Sequence, residues 1–160
     1  MNTERLEHLI TIMQDVTTLR KKFDMNAWVT HNTNECGTTC CALGWAALDP
    51  KCIAEGLYLQ ASWELDQHEP DGKFIYMHVP LTSTEAWDKT KNAMREYYAV
   101  SFVPTCEGED GFHAAMRYYD ITHRQAEYLF YKTAYPNLST TPQDVIDHIK
   151  LVLTGYDPNE

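Results

Sequence analysis

The residues most able to do chemistry lie in one stretch of the chain, between residues 31 and 52. That stretch contains a histidine and four of the five cysteines: His31, Cys36, Cys40, Cys41 and Cys52. A thiol beside an imidazole can act as a nucleophile, and several such side chains together can bind a metal ion. A structural role is the third interpretation, because unpaired cysteine is among the most frequently buried residue types. We favour the structural interpretation and keep the other two open.

The catalytic interpretation depends on Cys36. We expect this residue at the start of a helix, where the helix dipole lowers the pKa of a thiol and favours the reactive thiolate. His31 or His113 would act as the general base, although the spacing of the sequence brings neither of them next to Cys36. On this interpretation the protein is a Cys-dependent hydrolase or transferase.

The metal interpretation uses the same histidine and cysteines as ligands. Zinc sites are typically built from two closely spaced ligand pairs that are separated by a loop. The cysteines here cluster instead, with no matching second pair. We therefore predict that the protein holds neither a metal ion nor another cofactor.

The cysteine stretch also carries an extended sequence pattern. A Met-x-x-Trp segment is followed by a variable loop and then by Cys-Gly-Thr-x-x-Cys-x-x-Gly-Trp. The residues of the pattern are Met25, Trp28, Cys36, Gly37, Thr38, Cys41, Gly44 and Trp45. The pattern resembles that of an uncharacterised family of small proteins from phages and their bacterial hosts. The resemblance implies no particular reaction, but it suggests a phage accessory protein, a class that often counters host defences.

The balance of charge narrows the expected partners. Asp and Glu number 23 against 13 Lys and Arg, which gives a formal net charge of -10. Nucleic acids and anionic membranes bind clustered cations, so neither is an expected partner. An acidic surface rich in tyrosine suits contact with another protein instead, and an oligomer is possible. The polar N-terminus and the lack of an apolar run of ~20 residues predict a cytoplasmic protein with reduced thiols.

The hydrophobic pattern predicts a mainly α (α+β) fold: a compact helical domain of about six helices with an inserted β-hairpin. The whole chain, residues 1–160, is expected to be a single domain. Apolar spacing and capping side chains predict helices that begin near Thr3, Thr38, Thr82, Phe112, Thr122 and Thr141. Residues 30–37 and 104–111 are expected to be loops, and the second loop would hold Cys106.

Residues 57–80 are expected to form the inserted hairpin. Apolar and polar residues alternate from Leu57 to Leu65, which is the pattern of a half-buried strand. Proline, aspartate and glycine at 70–72 predict a turn, and residues 74–79 predict the returning strand. Tyr58 would then face outward.

Two surfaces are candidates for binding. The first is the start of the helix near Thr38, where backbone N–H groups can bind an anion and where Thr38 is also the expected cap. Its expected lining is Trp28, His31, Cys36, Gly37, Thr38, Thr39 and Trp45. The second is the outward face of the hairpin, where Tyr58 lies beside the turn.

Together these observations predict a non-catalytic binding protein of the phage accessory type. It would sequester or inhibit a host factor through one of the two surfaces, with a possible role against host defence. A sponge for a small nucleotide signal is one alternative, because a helix start lined by aromatic rings suits such a ligand. The Cys36 enzyme is the other alternative, although no complete catalytic constellation can be read from the sequence.

Overall fold

The structure, a computed structural model, describes residues 1–32, 37–68, 74–93, 100–135, 139–156 and 158. Of residues 30–32, 37, 63–68, 74–77, 91–93 and 100 it describes the backbone only. The described residues form seven α-helices and seven strands, and the strands belong to two sheets. None of the described helices has both the length and the apolar character needed to span a bilayer.

Most of the helices begin at a polar capping side chain. Thr122 and Thr141 are helix caps, as the sequence predicts, and each forms a capping box with the residue three positions later. The first helix is capped by Asn2, whose side chain accepts a hydrogen bond from the backbone N–H of Arg5. The helices are α1 (Thr3–Thr18), α2 (Ala42–Ala46), α3 (Pro50–Ala54), α4 (Thr84–Ala93), α5 (Gly111–Tyr119), α6 (His123–Phe130) and α7 (Pro142–Leu153).

The strands form one small sheet and one larger sheet. They are β1 (Lys22–Phe23), β2 (Val29–Asn32), β3 (Gly37–Cys40), β4 (Leu57–His68), β5 (Phe74–Leu81), β6 (Val100–Cys106) and β7 (Glu109–Asp110). In the first sheet, of order β1-β3-β2, strand β3 is parallel to β1 and antiparallel to β2. The second sheet, of order β5-β4-β6-β7, is antiparallel throughout. Its edge strand β5 contains Pro80, opposite Gln60 of β4, and an edge is where a strand tolerates proline.

The prediction of a mainly helical fold with one inserted hairpin is wrong, because the described chain contains two sheets beside its seven helices. The strands of the predicted hairpin do pair, as β4 and β5, but β4 also pairs along its other edge with β6. Residues 104–111, expected to be a loop, contribute to β6 and β7. Pro104 favoured the loop in the sequence, yet it fits strand β6 because β7 pairs only with Thr105 and Cys106.

The cysteine stretch also differs from its prediction. Gly37–Cys40 is strand β3 and not the start of a helix. Thr39 pairs with Lys22 of β1, and β-branched residues such as threonine favour this extended backbone. Thr38 is therefore not a helix cap. Helix α2 begins only after Cys41, whose Sγ accepts a hydrogen bond from a backbone N–H in the first turn at 3.4 Å.

Asp49 and Pro50, which by sequence would end the helix that follows Thr38, instead begin another helix. Asp49 caps α3, because its Oδ1 accepts hydrogen bonds from the backbone N–H groups of Lys51 and Cys52 at 3.0 and 3.1 Å. Pro50 occupies the first helical position, where a missing N–H group leaves no bond unmade. An Asp-Pro pair can thus end one helix or start the next, and sequence alone does not separate the two.

One hydrophobic core lies between the larger sheet and the helices. Leu57, Leu59 and Ala61 of β4 are fully buried in it, whereas Tyr58 and Gln60 between them are partly exposed. The predicted alternation of this strand is therefore confirmed over these residues. Helix α1 packs against α7 and α2, and α5 packs against β6.

Candidate functional site

An aromatic cleft lies where the segment after β1 meets α5 and the end of α6. Its walls include a row of three contacting rings: Trp28, Phe112 and Tyr131. The ring centroids of Trp28 and Phe112 are 5.1 Å apart and those of Phe112 and Tyr131 are 5.7 Å apart, both in edge-to-face geometry. This Trp28 cleft has a volume of about 380 Å³, and its other lining residues are Met25, Asn26, Ala27, Phe130, Lys132 and Thr133.

Two glycines fix the position of Trp28. A Cβ atom at Gly44 would lie 1.9 Å from the carbonyl oxygen of Trp28, so that only glycine fits this point of α2. The same carbonyl accepts a hydrogen bond from the backbone N–H of Cys41 at 3.2 Å. On the other side, Gly111 has a φ of +54°, and a Cβ atom there would lie 3.4 Å from the indole ring. The tryptophan is thus held between the start of α2 and the start of α5.

A polar network crosses one rim of the cleft. Lys132 Nζ donates a hydrogen bond to Asn26 Oδ1 at 2.6 Å. Asn26 is held in turn by Asp24, whose Oδ1 accepts from the Asn26 backbone N–H at 2.9 Å and from its Nδ2 at 2.6 Å. The network ties the turn after β1 to the segment after α6. Lys132 is the one charged residue among the described lining residues of the cleft.

A second depression adjoins the cleft, and Tyr131 and Thr133 belong to both. This Arg124 depression has a volume of about 390 Å³, and its lining residues are Arg124, Glu127, Tyr128, Tyr131, Thr133, Ala134 and Pro158. Tyr131 is 47% exposed, which is high for an aromatic side chain. The two depressions adjoin at Tyr131 and Thr133, and together they are called the groove.

A stack of three rings supports the Arg124 depression. The imidazole of His148 lies between Tyr128 and Tyr135, with centroid distances of 4.1 and 4.2 Å and nearly parallel planes. Tyr135 is buried and donates a hydrogen bond from its hydroxyl to the carbonyl oxygen of Leu129 at 2.7 Å. Tyr128 therefore packs against His148, and its ring centroid also lies 5.4 Å from that of Tyr156.

A second constellation combines His8, Asp49 and Cys52. His8 Nε2 lies 2.9 Å from Asp49 Oδ1, and one ligand atom from each of the three side chains lies within 4.8 Å of the others. These three residues could hold a metal ion with one further ligand, since zinc in proteins is usually four-coordinate. The same contacts are accounted for by the capping of α3, in which Asp49 Oδ1 accepts two backbone hydrogen bonds.

This constellation is not arranged as a catalytic triad. Burial raises the pKa of Cys52 to about 12, so that its thiol is protonated at neutral pH. A protonated thiol lacks the nucleophilic form that a Cys-His pair requires, and His8 Nε2 is paired with Asp49 Oδ1 at 2.9 Å.

The other described cysteines are buried as well. Their exposed fractions are 0% for Cys40, 1% for Cys41 and 4% for Cys106. Burial raises the pKa of each of these three thiols, to about 12 in Cys41. Cys106 lies at the end of β6, so that its predicted position on an exposed loop is wrong.

Ser62 and His78 form another contact between potentially catalytic groups. Ser62 Oγ lies 2.8 Å from His78 Nδ1 on the partly exposed face of the larger sheet. The two residues are direct cross-strand neighbours in β4 and β5, which by itself explains their contact.

The predicted helix-start site does not form as expected. His31 and Thr38 are paired residues of β2 and β3, and Gly37 and Thr39 also belong to β3. Their N–H groups are therefore not those of a helix N-terminus. Thr38 and Thr39 are partly exposed, whereas Cys36 and the side chain of His31 lie outside what the structure describes.

The remaining predicted residues lie on different elements. Trp28 lines the aromatic cleft, whereas Trp45 of α2 donates a hydrogen bond from its Nε1 to the carbonyl oxygen of Lys22 at 3.2 Å. Tyr58 is partly exposed in β4. His113 is an exposed residue of α5, and its ring centroid lies 6.2 Å from that of a histidine on α6.

Sequence reasoning missed most of the groove. Phe112, Tyr131, Lys132 and Arg124 were not among the expected binding residues. A signal was present in the consecutive apolar residues 128–131, because a run at the end of a helix cannot turn every side chain toward one core.

The described site is a concave, mainly apolar groove with a few polar groups, which is the common form of a small-ligand or anchor-binding site. The described lining residues of the two depressions include neither cysteine nor histidine. Comparison of the chain with protein-family models, with curated proteins and with solved structures gives no match.

Proposed function

We propose that this protein is a non-catalytic binding protein of the phage accessory type, which sequesters or inhibits a host factor through the Trp28 cleft. The observation that supports the proposal is the half-exposed ring of Tyr131 at the mouth of an aromatic cleft. Exposed aromatic residues beside a concave apolar surface are typical anchors of binding sites. The volume of about 380 Å³ is also in the range of ordinary ligand pockets.

The described thiols favour binding over catalysis. All four are nearly or fully buried, and burial raises the pKa of each. A nucleophilic cysteine needs the opposite environment, with access to substrate and a lowered pKa. The Cys36 hydrolase or transferase stays the alternative from another class, because Cys36 lies outside the described residues.

The proposed partner follows from the charge of the chain. A net charge of -10 disfavours nucleic-acid polymers and anionic membranes, which bind clustered cations. The partner that we propose is instead a host protein or a small nucleotide-like ligand, bound in the host cytoplasm. Self-association is compatible with this function and is not required by it.

Affinity capture from host lysate, followed by mass spectrometry of proteins and of small metabolites, tests the proposal. Tyr131→Ala should reduce the captured factor at least tenfold. Leu19→Ala is the matched control, because Leu19 is 64% exposed and lines neither depression. Tyr58→Ala tests the rival surface on the larger sheet. All three variants should first give the circular dichroism spectrum of the unaltered protein.

The outcomes of this capture separate the two surfaces. Loss of the factor from Tyr131→Ala, with retention by Leu19→Ala and Tyr58→Ala, supports the Trp28 cleft. Undiminished capture by a folded Tyr131→Ala protein contradicts the proposal, and loss in Tyr58→Ala alone would transfer the site to the sheet.

A further inference from the structure

We infer that a small polar pocket on the outer face of the larger sheet binds the guanidinium group of an arginine side chain from a partner protein. The pocket has a volume of about 180 Å³, and its walls include Gln60, Ser62, His78, Val103, Thr105 and Asp110. The inference goes beyond the proposed function, because the pocket shares no described lining residue with the Trp28 cleft or the Arg124 depression.

The register of the strands brings these side chains to one face of the sheet. Residues directly opposite each other in an antiparallel pair have their side chains on the same face. The opposed pairs are Ser62 with His78, Gln60 with Val103, and Thr105 with Asp110. Because Leu59 and Ala61 of β4 face the core, Gln60 and Ser62 between and after them face outward. Thr105 is nevertheless only 3% exposed, so that this outer face is recessed at the pocket.

Asp110 supplies a carboxylate that the fold does not use. It occupies the N-cap position of α5, where an aspartate side chain commonly accepts a hydrogen bond from a backbone N–H group. Its side chain makes no such bond. No cationic side chain in the described part of the chain pairs with it either. The carboxylate is therefore available to a ligand, and a cation is the complementary one.

Neutral hydrogen-bonding groups share the pocket with this carboxylate. The half-buried Gln60 amide has no hydrogen-bond partner among the side chains and backbone that the structure describes, so its carbonyl oxygen can accept a bond. Ser62 Oγ and His78 Nδ1 lie 2.8 Å apart and satisfy each other, which leaves His78 Nε2 for a further bond. No described hydrogen bond joins His78 to Asp110, so this is not the relay of a serine hydrolase.

A guanidinium group matches these groups better than an ammonium group does. It is planar and carries five N–H donors, whereas the ammonium of lysine is compact and carries three. Several acceptors around a single carboxylate can use the larger number of donors. Val103 adds an apolar wall, against which the methylene stem of arginine can pack. The net charge of -10 also attracts a basic partner.

The size of the pocket favours a side chain presented by a protein over a free metabolite. Sites that bury most of a small molecule usually have volumes of ~300–1,000 Å³. A pocket of about 180 Å³ encloses the tip of one side chain. The remaining contacts would then come from the surface around the pocket, as they do in protein interfaces, where arginine is one of the enriched central residues.

Chemical-shift titration of the full, isotope-labelled chain tests the inference. The probes are the blocked peptides Ac-Gly-Arg-Gly-NH2 and Ac-Gly-Lys-Gly-NH2, the citrulline analogue of the first peptide, and free arginine. The arginine peptide should shift the backbone amide signals of residues 60–62 and 105–110, and it should bind roughly fivefold more tightly than the lysine peptide. The citrulline peptide, which has a similar shape without the charge, should leave these signals unchanged.

Three variants locate the binding. Asp110→Asn keeps the shape of the side chain and should weaken the arginine peptide about tenfold, because it removes charge-assisted hydrogen bonds. Glu109→Gln removes the same charge from the preceding residue of β7, and Asp15→Asn removes it from an exposed position on α1. Each control should change the affinity by less than about twofold, because exposed charges outside the pocket are screened by salt.

Loss of the pocket shifts in Asp110→Asn, with retention in both controls, supports the site. Equal affinities for the arginine and lysine peptides, equal weakening by Glu109→Gln, or unshifted pocket signals would overturn it. Tighter binding of free arginine than of the blocked peptide would show recognition of the amino-acid termini and would contradict a protein partner. None of these results bears on the proposed function, which lysate capture with Tyr131→Ala tests separately.

Discussion

Replacing Gly44 by alanine would add one methyl group at the point where α2 meets the carbonyl of Trp28. The new Cβ atom would lie 1.9 Å from that oxygen and 2.9 Å from its carbon, distances at which the backbone must move. Overpacking of this kind typically costs about 1–3 kcal/mol. The displaced carbonyl would also weaken its hydrogen bond from the N–H of Cys41, worth about 1 kcal/mol.

Helix propensity acts in the opposite direction at the same residue. Alanine is favoured over glycine inside a helix by about 1 kcal/mol. The sum of these effects is a destabilisation of about 1–3 kcal/mol for Gly44→Ala, whereas propensity alone predicts a more stable protein. The sign of the change in the free energy of unfolding therefore decides between the two explanations. Urea denaturation followed by circular dichroism measures it directly.

Gly155→Ala is an informative control for this measurement. No atom lies within 4 Å of a Cβ built at Gly155, but its φ is +89°, so that only backbone strain opposes the substitution. We expect a loss of about 1–2 kcal/mol there, with no effect on the groove. In Gly44→Ala the displaced Trp28 should also reduce capture of the host factor. An unfolding free energy equal to or above that of the unaltered protein in Gly44→Ala would refute the steric argument.

Three further outcomes follow from the described side chains. Burial opposes ionisation of Asp49, but its hydrogen bonds with His8 and with the N–H of Cys52 hold the pKa of the carboxyl below its usual value. The stabilisation by Asp49 is therefore present above the unfolded-state pKa near 4 and is lost as pH falls through the folded-state pKa. Asp49→Ala should cost about 1 kcal/mol of unfolding free energy at pH 7. Urea denaturation at several pH values should show this difference shrinking below pH 4. Iodoacetamide labelling with peptide mapping should be slow in the native state at the buried thiols, namely Cys40, Cys41, Cys52 and Cys106. A chelator should leave the melting temperature unchanged, and elemental analysis should find no stoichiometric zinc.

A specific result would contradict each of these three predictions. A constant cost of Asp49→Ala from pH 7 to pH 3 would mean that the carboxylate is not the stabilising form. Labelling of a described thiol as fast as that of free cysteine would show that it is accessible. One equivalent of zinc, lost on chelation together with thermal stability, would make His8, Asp49 and Cys52 the first ligands to replace.

The parts of the fold that sequence predicts are those that depend on nearby residues. The helix caps at Thr122 and Thr141 and the alternation of β4 from Leu57 each involve side chains a few positions apart. Strand β3 was missed because its extended backbone depends on pairing with β1 and β2, which local spacing does not reveal. Pro104 was placed in a loop because the pairing of its strand cannot be read from the residue itself.

The same reason explains the partial prediction of the site. Trp28 was expected to bind, since a tryptophan beside a distinctive motif is a visible feature of the sequence. Its contacts with Phe112, and through that ring with Tyr131, join segments that are distant along the chain. Only the packing of α5 and α6 against the segment after β1 brings them together. The composition showed a surplus of aromatic residues, but it did not show where that surplus lies.

Pro80 on the edge strand has a consequence for how copies of this protein can meet. An open edge of a sheet can recruit a strand from another molecule, which is a common beginning of aggregation. Proline at position 80 has no N–H to offer such a strand, and it interrupts the ladder close to the end of β5. Edge-to-edge addition along this part of the larger sheet is therefore disfavoured. Pro80→Thr should therefore promote concentration-dependent turbidity on prolonged incubation.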